Sequence, residues 1–319
     1  MSFLMNISES VKGILDKYEG ECPGVKLNLA RLFMHGRLAG TGHVLILAVD
    51  QGFEHGPTTF LKNPAGFSPH YHFHFAKKSQ LSAYTAPLNW LRAGIDTCLG
   101  DVPLILKVNH SNRLNPKSQD PDQAVIASVQ DALELGSIGV GFTLYPGSTS
   151  YTEQLEELKL LSSQARKAGL FTMVWAYPRG SGIVNTASLY ESAEKDNPQL
   201  ALDVIAYSAH MACLAGAHIV KVNLPQAFIA QKTSVDSYAG VGLEPNNRVK
   251  HIVDCCFGGK RAVIFSGGAI KNEEELLQEV TAVRDGGGFG SIIGRNIFQR
   301  EETEALQVVD KIVGVYTRS

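Results

Sequence analysis

The chain has 319 residues, 44% hydrophobic and 19% charged, enough to bury one large core or two ordinary ones. Its formal net charge of −2 provides no global field to recruit nucleic acid or an anionic membrane, which leaves only a local cationic pocket as an anion site. Five cysteines (Cys22, Cys98, Cys213, Cys255, Cys256) form no CxxC pair, no apolar run reaches about 18 residues, and the start "MSFLMNISES" lacks a secretory leader's pattern, so reduced thiols in the cytoplasm are expected.

Residues 1–40 read as helix and loop ending in the glycines of "RLFMHGRLAGTG", an extension expected to pack on a catalytic domain spanning 41–319. "HVLILAVD" is a buried strand ending at Asp50, followed by a Gly-, Pro- and His-rich loop, "QGFEHGPTTFLKNPAGFSPHYHFHF". Strands are predicted over "QLSAYTA" and "VPLILKVN", and a helix over "DPDQAVIASVQDALELG". After the strand "SIGVGFTLY" comes the helix "STSYTEQLEELKLLSSQARKAG", whose Ser150 and Glu153 have capping-box spacing. The strand "LFTMVWAY", the helix "NPQLALDVIAYSAHMACLAG" and the strand "AHIVKVN" follow. A short helix over "RVKHIVDCCFGG", the strand "RAVIFSGG", the helix "NEEELLQEVTAVRDGG", the strand "FGSIIGR" and a helix from Glu301 complete the chain.

Most of these strands are continuously apolar rather than alternating, which means cover on both faces and a parallel sheet. An open doubly wound sheet and a closed barrel both satisfy that pattern. Eight units with polar residues at successive strand ends favour the α/β class and a (β/α)8 TIM barrel.

Such a barrel assembles its site at the carboxyl ends of the strands. Those ends carry Asp50, Tyr84, Lys107, Tyr145, Trp175 with Tyr177, Lys221, Ser266-Gly267-Gly268 and Gly294-Arg295. Two of the strands are near twins, "LILKVN" and "HIVKVN", each placing a lysine near the end of an apolar run. A lysine in a partly dry pocket beside a second cation loses proton affinity, and its free amine can attack a ketone to form an imine. Lys221 is the candidate nucleophile, and Lys107 the second cation or oxyanion binder; snorkelling or pairing with Asp50 would explain both lysines equally simply. Tyr177 shares a strand face with Trp175 and could move a proton, although core filling accounts for both rings. Arg179 either binds an anion or meets solvent. The glycines of "FSGG" and "GSIIGR", with Arg295, suit backbone contacts to a phosphate, and tight turns would use them too. "GGGFG" precedes a strand and forms no nucleotide motif. His70, His72 and His74 recur at period two, with His55 and His110 ending other loops. Without a thiol or carboxylate at familiar spacing they read as a polar loop or subunit contact, and no metal is expected.

The segments "GTGHVLILAVDQGFEH", "PLILKVNH", "FTMVWAYPRG", "AHIVKVN", "SGG" and "GRNIF", in this order, resemble the bacterial and archaeal class I fructose-1,6-bisphosphate aldolases, the DhnA group. The resemblance runs from about Arg37 to near the C-terminus and implies a (β/α)8 barrel, a Schiff-base lysine on the sixth strand and neither metal nor cofactor. By position it implies that Lys221 forms the imine, that Tyr177 is the general acid/base and that Trp175 lines the pocket. Asp50 and Lys107 would flank the reacting carbons, and His55 falls in the loop after the first strand. Ser266, Gly267, Gly268, Gly294 and Arg295 would hold phosphate. A phosphorylated sugar is the implied substrate, and a large homo-oligomer, an octamer or decamer, the implied assembly. The histidine-rich stretch Phe67 to Lys78 departs from the family pattern, where a helix is expected between the first two strands. Related readings are a Schiff-base aldolase, transaldolase-like enzyme or thiolase acting on another sugar phosphate, and a barrel without activity that serves as a binding subunit. Retention of Asp50, Lys107, Tyr177 and Lys221 together argues against the last.

Overall fold

The computed structural model describes residues 7–112, 114, 119–184, 197–267 and 272–318. Eight strands run in parallel: β1 (Val44–Ala48), β2 (Ala83–Pro87), β3 (Leu104–Lys107), β4 (Gly139–Leu144), β5 (Phe171–Ala176), β6 (Ile219–Asn223), β7 (Ala262–Ser266) and β8 (Gly290–Ile293). Each pairs with its neighbours in sequence, and β1 pairs with β8 from Val44↔Gly290 to Leu47↔Ile293, closing the barrel. The choice between open sheet and barrel is therefore decided by that one pairing. Every residue of β1 to β5 and β8 is buried, as continuous apolar runs require of strands covered on both faces.

Before the barrel come α1 (Glu9–Asp16) and α2 (Pro23–Phe33). Between them the buried Tyr18 donates its hydroxyl to the carbonyl of His218 at 2.7 Å and accepts the backbone N–H of Ala262 at 3.1 Å, tying this segment to the β6 and β7 entrances. Glu21 accepts from Arg166 at 2.9 Å and sits 3.3 Å from the ring of His218 and 3.6 Å from Arg261.

The outer layer corrects three readings. The stretch after β1 is not loop: it holds α3 (Gln51–His55), two 3-10 turns and α4 (Pro69–Lys78). On α4, period two does not converge, because 3.6 residues make a turn. His72 is buried among Phe60, Trp90 and Phe298 with its Nε2 2.9 Å from the Gly66 carbonyl, whereas His70 and His74 are exposed. Second, α5 (Leu88–Gly94) follows β2, but the long helix expected before β4 shrinks to α6 (Val129–Glu134); Ala124–Val125 instead forms a two-stranded antiparallel ribbon with Asn109–His110. Third, α7 (Tyr151–Lys167) lacks the expected capping box. Ser150 has φ −87° and ψ 14°, not the extended geometry that aims a hydroxyl at the first turn, and its side chain caps nothing. The capping box forms at Ser128 and Asp131 on α6. The remaining helices are α8 (Leu202–Leu214), α9 (Pro245–Cys255), α10 (Glu273–Asp285), α11 (Arg295–Phe298) and α12 (Glu302–Thr317).

Candidate active site

A cavity of about 450 Å³ opens at the carboxyl ends of the strands. Asp50, His55, Trp175, Tyr177, Arg179, Lys221, Ser266, Gly267, Gly294 and Arg295 all line it, so ten predicted residues share one wall. Lys107 is absent from that lining, and Gly268 lies outside the described residues.

Parallel pairing sets Trp175 of β5 beside Lys221 of β6. The Lys221 ammonium, on a residue only 4% exposed, sits 4.9 Å from the Trp175 ring and 5.4 Å from the Tyr177 ring, faces whose π-electrons favour a cation. Trp175 fits because β4 carries Gly141: a Cβ there would lie 2.5 Å from the indole. The Lys107 ammonium lies 5.5 Å from the same ring. Lys107 donates to the carbonyl of Asn109 and, at 2.9 Å, to its Oδ1. Burial pulls its pKa down, with Asp50 and Glu54 opposing and Lys221 assisting, to about 8.

Tyr177 donates to Ser266 Oγ at 3.5 Å, and Ser266 donates to Asn223 Oδ1 at 2.6 Å. Asn223 and Ser266 are register partners at the ends of β6 and β7, which is why this short chain forms. Arg179 does not simply meet solvent. Its guanidinium rests against the rings of Tyr145 and Tyr177 at 5.2 and 5.4 Å, donates to the Tyr145 hydroxyl at 3.2 Å and lies 4.0 Å from Glu54. Tyr145 in turn donates to Glu54 at 3.4 Å, and its own pKa is raised by burial and then by that carboxylate. Tyr84, by contrast, accepts from Trp90 at 2.8 Å, packs edge-on to Phe73 and does not line the cavity. Gly294 stands where β1 and β8 draw together: an added Cβ would be 2.6 Å from Gln51 and 2.8 Å from the Ala48 carbonyl. His110 is stacked on Phe53 with ring centroids 4.4 Å apart; burial and then the Lys107 cation push its pKa down to about 2, keeping it neutral.

Sequence reasoning missed Glu54, Asn109 and Asn223 as site residues. Glu54 follows Asp50 by four residues across α3, a helical spacing inside "VDQGFEH". Each asparagine stands two residues after a lysine in the twin "KVN" segments. Among the described residues no group of three or more His, Cys, Asp or Glu side chains could hold a metal ion.

The model of the DeoC/LacD family aldolases matches residues 44–300. The class 1 fructose-bisphosphate aldolase of Halobacterium salinarum (strain ATCC 29341 / DSM 671 / R1) is 34% identical over 275 residues, covering 86% of this chain and 91% of that one. A probable class 1 fructose-bisphosphate aldolase of Chlamydia muridarum is 32% identical over 300 residues, covering 91% and 83%. An archaeal fructose-1,6-bisphosphate aldolase, solved with its catalytic lysine covalently bound to the carbinolamine intermediate of the substrate, superposes with a TM-score of 0.71 at 28% identity over 91% of this chain and 98% of that one.

Proposed function

The chain belongs to the DeoC/LacD family of aldolases, and on that premise we infer that it is a class I fructose-bisphosphate aldolase, cleaving fructose 1,6-bisphosphate reversibly into dihydroxyacetone phosphate and glyceraldehyde 3-phosphate. The observation that carries the reading is Lys221: a buried lysine at the end of β6 that lines the cavity between the faces of Trp175 and Tyr177.

In this reading the Lys221 amine attacks C2 of the open-chain ketose, and the carbinolamine loses water to give a protonated imine. A base takes the C4 hydroxyl proton, the C3–C4 bond breaks, and its electron pair flows into the iminium to form an enamine while glyceraldehyde 3-phosphate leaves. Tyr177 protonates the enamine at C3, water adds to the imine, and dihydroxyacetone phosphate is released with the lysine restored. The covalent step divides one difficult carbanion into easier stages. Asp50 at the β1 end is the candidate for the C4 proton. Gly267, Gly294, Arg295 and Ser266, where β7 and β8 end at the cavity, are the candidate grip on the ketone-end phosphate, which would hold C2 beside the lysine. Arg179 and His55 are candidates for the opposite end. The mechanism needs no metal. Residues 1–40 are read as an extension packed on the 41–319 catalytic barrel. The protein is further read as cytoplasmic, in keeping with its five free cysteines, and as a homo-oligomer, for which the exposed Tyr207 and Leu214 on α8 offer apolar contact surface; octamer or decamer size is what the family resemblance implies.

The test is borohydride reduction in the presence of dihydroxyacetone phosphate, followed by intact and peptide mass spectrometry. A stable adduct on Lys221 that requires the ligand is expected. A folded, ligand-binding protein that yields no adduct would sink the imine mechanism, and so would cleavage abolished by chelator.

A further inference from the structure

Lys107 and Lys221 stand at the same end of the barrel, both buried, in nearly identical sequence contexts, yet only Lys221 lines the cavity. We propose that Asn109 is a positioning residue for the reaction: it holds the Lys107 ammonium beside Trp175 and out of the cavity lining, leaving Lys221 as the one lysine amine offered to the ketone. This rests on the aldolase reading above and adds a residue to it.

The geometry is specific to β3. That strand ends at Lys107, and the chain turns at once into the ribbon formed by Asn109–His110, so both the carbonyl and the side chain of Asn109 fold back onto the ammonium two residues earlier. The Asn109 side chain is fully buried, and both its oxygen and its nitrogen are hydrogen-bonded. Its Oδ1 accepts from Lys107 at 2.9 Å and from the Thr143 N–H at 2.7 Å, and its Nδ2 donates to the Thr143 carbonyl at 2.9 Å. The Thr143 bonds lock the amide's orientation, so the acceptor oxygen can only face Lys107. In the twin segment β6 continues straight through Asn223, which instead pairs with Ser266 across the ladder, and the lysine two residues before it has the Trp175 and Tyr177 rings against its ammonium. The bend after Lys107 thus tethers the first lysine, while the second stays on a continuous strand and lines the cavity.

The charged and titratable groups facing Lys107 are Asp50 and Glu54 from the β1 end, Lys221 from β6 and the neutral His110 from the ribbon. Burial pulls its pKa to about 8 against the charges of Asp50 and Glu54, and acceptors on an ammonium favour its charged form, which is what the carbonyl and Oδ1 of Asn109 supply.

The experiment compares kcat, KM and melting temperature across pH 6–10 (a range of about four units centred on the Lys107 value) for the wild type, Asn109→Ala, Asn109→Asp and Lys107→Met, with fructose 1,6-bisphosphate as substrate. Asn109→Ala should lose about ten-fold in kcat, the scale of one charge-assisted hydrogen bond, with KM little changed. Its alkaline limb should move down by about one unit, since the ammonium keeps the main-chain carbonyl of residue 109 but loses the Oδ1 acceptor and so releases its proton sooner. Asn109→Asp keeps acceptors for Lys107 and the Thr143 N–H and adds a negative charge but loses the Nδ2 donor to the Thr143 carbonyl, so it should restore part of kcat and move the limb upward. If the alanine variant does not fold, the upward shift in the aspartate variant decides alone. Folded variants whose limb stays at the wild-type position would assign Asn109 a purely structural part and overturn the proposal. A Lys107→Met enzyme identical to wild type in kcat and profile would overturn it through its premise. Borohydride trapping separates this from failure of the parent reading: an adduct that persists on Lys221 leaves the imine mechanism standing in either case.

Discussion

Lys221 and Tyr177 act at different stages of the proposed cycle, and that separates their variants. Lys221→Met removes a buried cation while keeping the side chain's length, so the melting temperature should hold or rise. Cleavage should fall by more than about a thousand-fold, the scale seen when a nucleophile is deleted. Residual activity near wild type would refute its role. Tyr177→Phe keeps the ring against Lys221 and Arg179 but removes the hydroxyl that reaches Ser266. Turnover should drop by about a hundred-fold or more while borohydride still traps dihydroxyacetone phosphate on Lys221. Loss of trapping in that variant would move Tyr177 to imine formation. These two side chains were legible because each sits on a strand end whose apolar run is unmistakable. Glu54 and Asn109 were not, since their partners are distant in the chain: Tyr145 and Arg179 follow β4 and β5, and Thr143 lies on β4.

Strand β4 shows how one element shapes the site without contributing chemistry. Gly141 lies in register with Lys107 on one side and Met173 on the other, and the Trp175 ring fills the space a side chain would take. Gly141→Ala should destabilise the fold by about 1–3 kcal/mol, the usual cost of overpacking, and displace the indole with a matching loss of turnover. A variant with unchanged melting temperature and unchanged kcat would show that the indole yields freely. The helices were harder to read than the strands. The histidines of α4 alternate in sequence, but a helix sends His72 inward and His70 and His74 outward, and only the Phe60–Trp90–Phe298 cluster explains the buried one. The Ser150 signature failed for a local reason: its backbone is not extended, and Gln154, one turn into α7, accepts the Tyr145 N–H at 3.0 Å instead.

Across the whole molecule, the segment before β1 is fastened to the barrel entrance through Tyr18 and through Glu21 with His218, Arg166 and Arg261. The hydrogen bond from His218 first, then burial acting the other way, then the charges of His218 and Arg166, leave the Glu21 carboxyl depressed from 4.5 to about 2. A depressed carboxylate contributes its stability above the unfolded value and loses it as pH falls toward the folded one. The melting temperature should therefore decline between pH 4.5 and about 2, and Glu21→Gln should flatten that part of the curve; an unchanged slope would assign the acid sensitivity to other groups. By itself the sequence determined the eight strands, the lysines and aromatics at their ends, and the family resemblance, because strand character and strand-end chemistry are written in runs of a few residues. Closure of β1 onto β8 depended on pairing the two ends of the barrel. The unlike fates of the twin lysines depended on a bend after Lys107 that β6 lacks. Both were decided only in three dimensions, since the groups that settle them meet across the barrel and nowhere along the chain.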